Sequence, residues 1–197
     1  MKAGLVVLAV VALAVIAVLG WFVSVNNDLV AKDQAVLEAW AQVQNVYQRR
    51  ADLIPNLVET VTGFAAQERT VLEEVTRARA SVAGMKITPE VLRDPEALKK
   101  FQEAQAQLGG ALSRLLVVVE RYPELRSNQN FLALQSQLEG TENRITVERR
   151  RYNEAVREYN TAVRRFPASF VASLRGFQER PFFEATPGSQ APPPVKF

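Results

Sequence analysis

Apolar residues follow different patterns in successive parts of this chain, and each pattern predicts a different kind of element. From Ala3 to Val25 the sequence AGLVVLAVVALAVIAVLGWFVSV is apolar all round, with no charge between Lys2 and Asp28. As a helix it would measure about 34 Å, enough to cross the hydrocarbon core of a bilayer. Trp21 and Phe22 then take the interfacial aromatic position, and Asn26, Asn27 and Asp28 mark the exit into water. A cleaved signal peptide is the competing reading, with Lys2 as its positive flank and Val18-Leu19-Gly20 as the cut. Against it, the run exceeds the roughly 7–15 residues of a signal-peptide core, and no polar stretch precedes that cut. Lys2 and the terminal amine before the span, against Lys32 after it, favour the following domain on the extracytoplasmic side.

Beyond Asn27 the period becomes that of amphipathic helices. Val36, Trp40, Val43 and Tyr47 lie on one face of a helix over Leu29 to Arg50. Pro55 predicts either a kink or a fresh start, after which Leu57, Val61, Phe64, Ala65, Val71, Leu72 and Val75 resume the period. Gly84 and Pro89 punctuate a connection that ends at Asp94. A further helix, capped by Asp94 and opened by Pro95, should bury Leu98, Phe101, Leu108, Leu112, Leu115, Leu116 and Val119. Gly109 and Gly110 inside it predict a bend or a close helix contact. After Tyr122-Pro123, the residues Phe131, Leu138, Ile145, Tyr152, Tyr159 and Phe166 recur at intervals of seven, widened by Leu134, Ala155, Val156, Ala162 and Val163. That pattern predicts a helix of about 55 Å packed in coiled-coil fashion and stopped by Pro167. Ala168 to Phe177 should form a short amphipathic helix, and the Pro-rich TPGSQAPPPVKF should be extended or disordered.

The fold class expected is therefore all-α: one N-terminal transmembrane helix followed by an elongated antiparallel bundle of long helices. The division expected is an anchor over 1–27, a helical-bundle domain over 28–185 and a Pro-rich tail over 186–197.

Composition narrows the chemistry more than the fold. With 24 basic and 21 acidic residues the net charge of +3 does not imply nucleic acid. The absence of Cys removes disulfides and thiolate chemistry, and the absence of His removes imidazole ligands and Ser-His or Cys-His pairs. Carboxylates such as Glu68, Glu73, Glu74, Glu139, Glu142 and Glu148 are scattered, with no Gly-rich phosphate cradle or nucleophile elbow beside them. The expectation is a protein that is not an enzyme and needs neither cofactor nor metal.

Arginine is concentrated near the end of the last long helix. Between Arg144 and Arg165 seven Arg face Glu148, Glu154 and Glu158, and Arg150, Arg157 and Arg164 are seven apart, roughly opposite the apolar seam. A solvated face with ion pairs such as Arg150 to Glu154 is one reading. A contact stripe for anionic lipid or for the acidic face of a neighbouring subunit is the other. Tyr152 and Tyr159 belong to the seam rather than to a base-stacking surface, and their hydroxyls need buried partners. Asn153 and Asn160, each following a Tyr, are then expected to bond to adjacent helices.

Three runs carry a specific resemblance: QRRADLIPNLVETVTGFAAQE from Gln48 to Glu68, RYPELRSNQNFLALQSQLEGTENRI from Arg121 to Ile145, and RYNEAVREYNTAVRRFPASF from Arg151 to Phe170. Through them the chain resembles the LemA family of bacterial membrane proteins over nearly all of its length after the apolar helix. The positions that carry the resemblance are Arg49, Arg50, Asp52, Pro55, Asn56, Glu68, Tyr122, Pro123, Asn128, Glu142, Asn143, Tyr152, Asn153, Tyr159, Asn160, Phe166 and Pro167, while Ser169 stands where relatives often have Asn. The resemblance implies a single membrane helix in the bacterial inner membrane, an antiparallel bundle and no known catalysis. Some relatives are associated with magnetosome membranes and others accompany membrane proteases. Two functions are expected from this: a self-associating scaffold that organises or remodels the membrane, with the lipid bilayer and further copies of itself as partners, or an adaptor that presents a helical surface, with its PPPVKF tail, to a membrane-protein partner.

Overall fold

The computed structural model describes residues 2–85 and 89–184. Its elements are α1 (Lys2–Ala65), α2 (Arg69–Ala83), a 3-10 turn (Pro89–Arg93), α3 (Pro95–Val119), α4 (Pro123–Arg126), α5 (Gln129–Arg164) and α6 (Ala168–Arg175). No strand occurs among the described residues. The apolar run and the first helix of the bundle are one continuous α-helix of 64 residues, about 96 Å long. Its first part is bare: Leu5 to Leu19 touch no other element, and their large side chains are more than half exposed.

Helix α1 passes straight through Pro55, so no new helix begins there. A helix-interior proline normally orphans the carbonyl four residues back, because it has no N–H to donate. Here the Ala51 carbonyl instead accepts from Arg79 Nε of α2 at 2.9 Å. The missing backbone bond is replaced by a side chain from the neighbouring helix.

From the far end of α1 the chain returns along α2, runs out again along α3 and comes back along the 36-residue α5. Asp94 caps α3, accepting from the Glu96 N–H at 3.0 Å, and Asn128 caps α5, accepting from the Phe131 N–H at 3.1 Å. Those two bonds satisfy orphan donors and set where the helices begin. The seam holds from Phe131 through Leu138, Ile145 and Tyr152 to Tyr159, each at most 5% exposed. It ends there: Phe166 is 83% exposed, because α5 stops at Arg164 before the next heptad position can face the core. Phe64 likewise points outward, and nothing approaches where a Cβ on Gly109 would be, so neither glycine of α3 marks a close contact. The connection from Gly84 to Asp94 contains the 3-10 turn, whose Leu92 is fully buried; residues 86–88 lie outside the described residues.

Two apolar cores stack along the bundle. The distal one, far from the apolar run, is almost wholly aliphatic: Ile54, Leu57 and Val61 of α1, Leu72 and Val75 of α2, Leu108, Leu112 and Leu115 of α3, and Leu138 of α5. The proximal one is aromatic, with Trp40, Tyr47, Phe101, Tyr152, Tyr159 and Phe183. Helix α2 is only 15 residues long and contributes its buried side chains to the distal core alone. At the proximal end, Val171 and Ala172 of α6 close over Leu29. Gly176 then adopts φ +75°, a left-handed cap that glycine takes without strain. It turns the chain into an extended strap, 177–184, running back up the bundle.

Candidate functional site

The described residues contain no group of three or more carboxylates that could hold a metal ion. The polar chemistry of the bundle lies instead in three places, and the first of them separates the two cores. Arg50, 3% exposed, donates to Glu142 Oε1 at 2.9 Å, to the Gln105 carbonyl at 3.2 Å, and to Gln105 Oε1. Its Nε and the Gln105 Nε2 are buried without partners. The guanidinium also lies 5.3 Å from the centre of the Tyr47 ring. Burial raises the Tyr47 hydroxyl above its usual range, with Arg149 and Arg50 pulling the other way. The layer joins α1, α3 and α5 through one buried charge.

The second is the grip of α5 on the strap. Asn160 donates Nδ2 to the Arg180 carbonyl at 2.9 Å and accepts the Arg180 N–H on Oδ1 at 2.9 Å. One heptad earlier, Asn153 makes the same pair of bonds to Phe183, at 3.0 and 2.9 Å. Each carboxamide uses one of its N–H donors and its oxygen, the pair a peptide group presents, so an extended segment binds α5 as it would bind a strand edge. The expected partners on adjacent helices are thus replaced by strap backbone. The Tyr152 hydroxyl donates to the Pro181 carbonyl at 3.0 Å, and the Glu184 N–H donates to Gln102 Oε1 at 3.0 Å. Burial pushes the Tyr152 and Tyr159 hydroxyls up from their ordinary value, so neither ionises near neutrality. Phe183 stacks on Trp40 at 5.9 Å and meets Tyr152 edge-on at 5.2 Å. Arg180, 7% exposed, bonds Asp33 of α1 at 2.7 Å.

The third is the basic stripe itself. Arg150 faces Glu154 at 3.9 Å, while Arg164 is drawn off the stripe by the strap's Glu179, which it meets with two bonds, Nε at 2.7 Å. Arg157 is exposed and borders a groove of about 750 Å³ between α1 and the α5–α6 corner, together with Lys32, Arg165, Trp21 and Phe166. All three stripe residues are exposed on α5, Arg150 and Arg164 each paired to a carboxylate, and Arg150 and Arg157 border a common groove.

The profile of the LemA family matches residues 39–197, more than half of the chain. The chain belongs to the LemA family. It is 27% identical over 187 residues to Magnetosome protein MamQ of Magnetospirillum gryphiswaldense, covering 87% of this chain and 66% of the relative. The same figures hold for Magnetosome protein MamQ 2 of Paramagnetospirillum magneticum. It is also 20% identical over 165 residues to Protein LemA of Metamycoplasma hominis, covering 84% of this chain and 71% of the relative. The chain thus spans 66% of the length of the MamQ relatives it matches. It is a membrane-associated helical protein, and among the described residues it has one helix long and apolar enough to cross a membrane.

The LemA-like motif positions fall into distinct structural roles. Arg50 and Glu142 form the inter-core layer, and Tyr152, Asn153, Tyr159 and Asn160 form the strap grip. Glu68 at the distal turn accepts from the Tyr122 hydroxyl at 2.7 Å and pairs with Arg121 at 3.2 Å, and that hydrogen bond raises the Tyr122 hydroxyl. Pro123 opens α4, Asn128 caps α5, and Pro167 precedes the first residue of α6. Arg49, Asp52, Pro55, Asn56, Asn143 and Phe166 are exposed, with Asp52 accepting from Gln48 at 2.7 Å. Sequence reasoning missed Asp33, Gln105, Arg180 and Phe183. The pair Phe182-Phe183 in an otherwise polar stretch is the signal that a buried segment follows α6.

Proposed function

We propose that this LemA-family chain is a membrane-anchored scaffold that self-associates through its bundle and organises or remodels the bacterial membrane on which it stands. The observation that carries this reading is the continuity of α1, whose bare apolar part and core-lining part are one helix without a linker. A linker would let the bundle swing; an unbroken helix transmits its orientation to the anchor, as a scaffold requires. Confinement to the membrane plane raises the effective concentration of copies. The exposed arginines Arg150 and Arg151, farther up α5 from the membrane end, offer cations for acidic surfaces of neighbouring copies. The naming of the MamQ relatives as magnetosome proteins agrees with a role at a specialised membrane. We read the chain as non-catalytic and place the bundle on the extracytoplasmic side, from Lys2 ahead of the span.

Electron microscopy of the full-length protein in native membrane or mild detergent, with its mass distribution measured in parallel, tests this. Regular multimers that Arg150→Glu and Arg151→Glu disperse are the expected result. Uniform monomers overturn it. Monomers that carry a stoichiometric foreign membrane protein, lost on deleting 192–197, replace it with the adaptor reading.

A further inference from the structure

The bundle does not end where the membrane helix begins; it overlaps it. Helix α5 runs antiparallel to α1, so the α5–α6 corner is carried down to the end of the apolar run. Val171 and Ala172 of α6 pack over Leu29 together with Phe22 and Val25, and the latter two belong to the run Ala3 to Val25. Arg175 Nε bonds Asn26 Oδ1 at 3.0 Å. Trp21 borders the same groove as Phe166, Pro167 and Ala168. If α1 crosses the bilayer, this corner is therefore at headgroup depth or below it.

At that depth the corner turns its largest apolar side chains outward. Phe166 is 83% exposed, Phe170 67% and Leu174 66%, and Phe170 and Leu174 are one helical turn apart on α6. No other aromatic side chain outside α1's apolar run is as exposed among the described residues. Phe166 borders the same groove as Trp21, beside the exit end of α1's bare apolar run. Above them the groove is bordered by Arg157 and Arg165, with Lys32 paired to Asp28 at 3.8 Å and Glu158 also on its rim. Apolar groups below and arginines above is the arrangement of an interfacial amphipathic element.

We propose that the α5–α6 corner is a second membrane contact: Phe166, Phe170 and Leu174 enter the leaflet into which α1 descends, and Arg157 and Arg165 meet its lipid phosphates. Attachment at two points fixes the tilt and rotation of the bundle, which a single helix leaves free to precess. This inference rests on α1 spanning the bilayer.

The chain has no Cys, so single nitroxide labels can be placed without background. Full-length variants Val10→Cys, Phe170→Cys, Leu174→Cys and Glu120→Cys are reconstituted into vesicles of phosphatidylethanolamine and phosphatidylglycerol. Power saturation is then measured with oxygen and with a water-soluble nickel chelate. The expected result is preferential oxygen collision at positions 10, 170 and 174 and preferential nickel collision at 120, with helicity unchanged. Arg157→Gln combined with Arg165→Gln shifts label 170 toward the aqueous side. Nickel access at 170 and 174 equal to that at 120, with 10 still shielded, overturns the proposal and leaves the anchor intact. Shielding of 170 and 174 from both agents, with spin–spin broadening, overturns it in favour of a second copy covering the corner. Nickel access at position 10 overturns the membrane-spanning reading and this inference together.

Discussion

The distal and proximal halves of the bundle solve one packing problem in two ways. In the distal half four helices surround an aliphatic core, and away from the helix ends their walls bond their own backbone, the Ala51 carbonyl with its Arg79 donor being the exception. In the proximal half α2 is missing, since its 15 residues end near the level of Tyr47, and the strap closes the gap over Trp40 and Tyr152. An extended segment cannot satisfy its own backbone, and buried peptide groups left unpaired are costly. Asn153, Asn160, Gln102 and the Tyr152 hydroxyl supply those bonds from the helices. The polar side chains of α5 that look out of place beside an aromatic seam are therefore the condition for using a strap instead of a helix. Aromatic rings suit that wall because one ring, Phe183, fills space that a helix would fill with several aliphatic side chains.

The largest expected contrast comes from truncating one buried side chain in each half. Phe183→Ala should cost about 3–5 kcal/mol, and Leu115→Ala, at 0% exposure in the distal core, about 2–5 kcal/mol. Location separates them more than size. Hydrogen exchange should show Phe183→Ala deprotecting α5 around Tyr152 and the strap, with the distal part of α3 unchanged. Leu115→Ala should instead weaken protection throughout α2 and α3. Equal and global loss in both would mean that the two halves unfold as one unit.

The layer between the halves offers the next effect. Arg50→Met removes the donor to Gln105 Oε1 and leaves that oxygen buried and unsatisfied beside the already unpaired Nε2, at about 1–3 kcal/mol. The loss on the Glu142 side is smaller, because that side chain is 45% exposed and can turn to water. Adding Gln105→Leu should recover most of the stability, since an apolar replacement of a buried ionic cluster is often neutral or better. Chemical denaturation of the two single variants and the double variant measures the coupling. Additive losses would show that Arg50 and Gln105 do not act as a unit.

How much of this was legible in the sequence depended on whether a periodic signal existed. Val36, Trp40, Val43 and Tyr47 were readable as one face because burial along a helix follows its turn, and all four are buried. The seam from Phe131 to Tyr159 was readable for the same reason, and so was the cap at Asp94, where a short polar side chain precedes a periodic run. Phe166 kept the spacing but not the role, because Pro167 ends the helix before that position can turn inward. Pro55 was ambiguous because its outcome depends on Arg79, 24 residues away in sequence and invisible to any local rule. The strap carried no period at all: its position is set by two side chains of another element, so only the Phe182-Phe183 pair hinted at burial.

The strap's own anchors should give smaller effects, since a released segment can hydrate its backbone. Asn160→Ala removes a donor and an acceptor from Arg180 and should cost about 1 kcal/mol. Asn160→Asp keeps the acceptor and loses the donor, so it should retain the Arg180 N–H protection that the alanine variant loses. Amide exchange at Arg180 distinguishes them, and equal exchange in both variants would show that Asn160 does not hold the strap.

The smallest effect concerns the exposed start of the strap, where Arg164 grips Glu179. The hydrogen bond from Arg164 holds the Glu179 carboxyl below the usual range, against a slight upward push from desolvation. Because the folded-state value is depressed, the ion pair contributes fully above the ordinary glutamate range of about 4.3. Its contribution fades as the pH falls from there through the lower folded value. The pair is solvent-exposed, so the change should be local and should shrink in high salt. Nuclear magnetic resonance of the Arg164 Nε–H across an acid titration should show the bonded resonance moving to its free position in that window, while the Asn160 carboxamide signals stay in place. In Glu179→Gln the titration should vanish. A simultaneous shift at Asn160 would mean that the ion pair, rather than the two carboxamides, keeps the proximal wall closed.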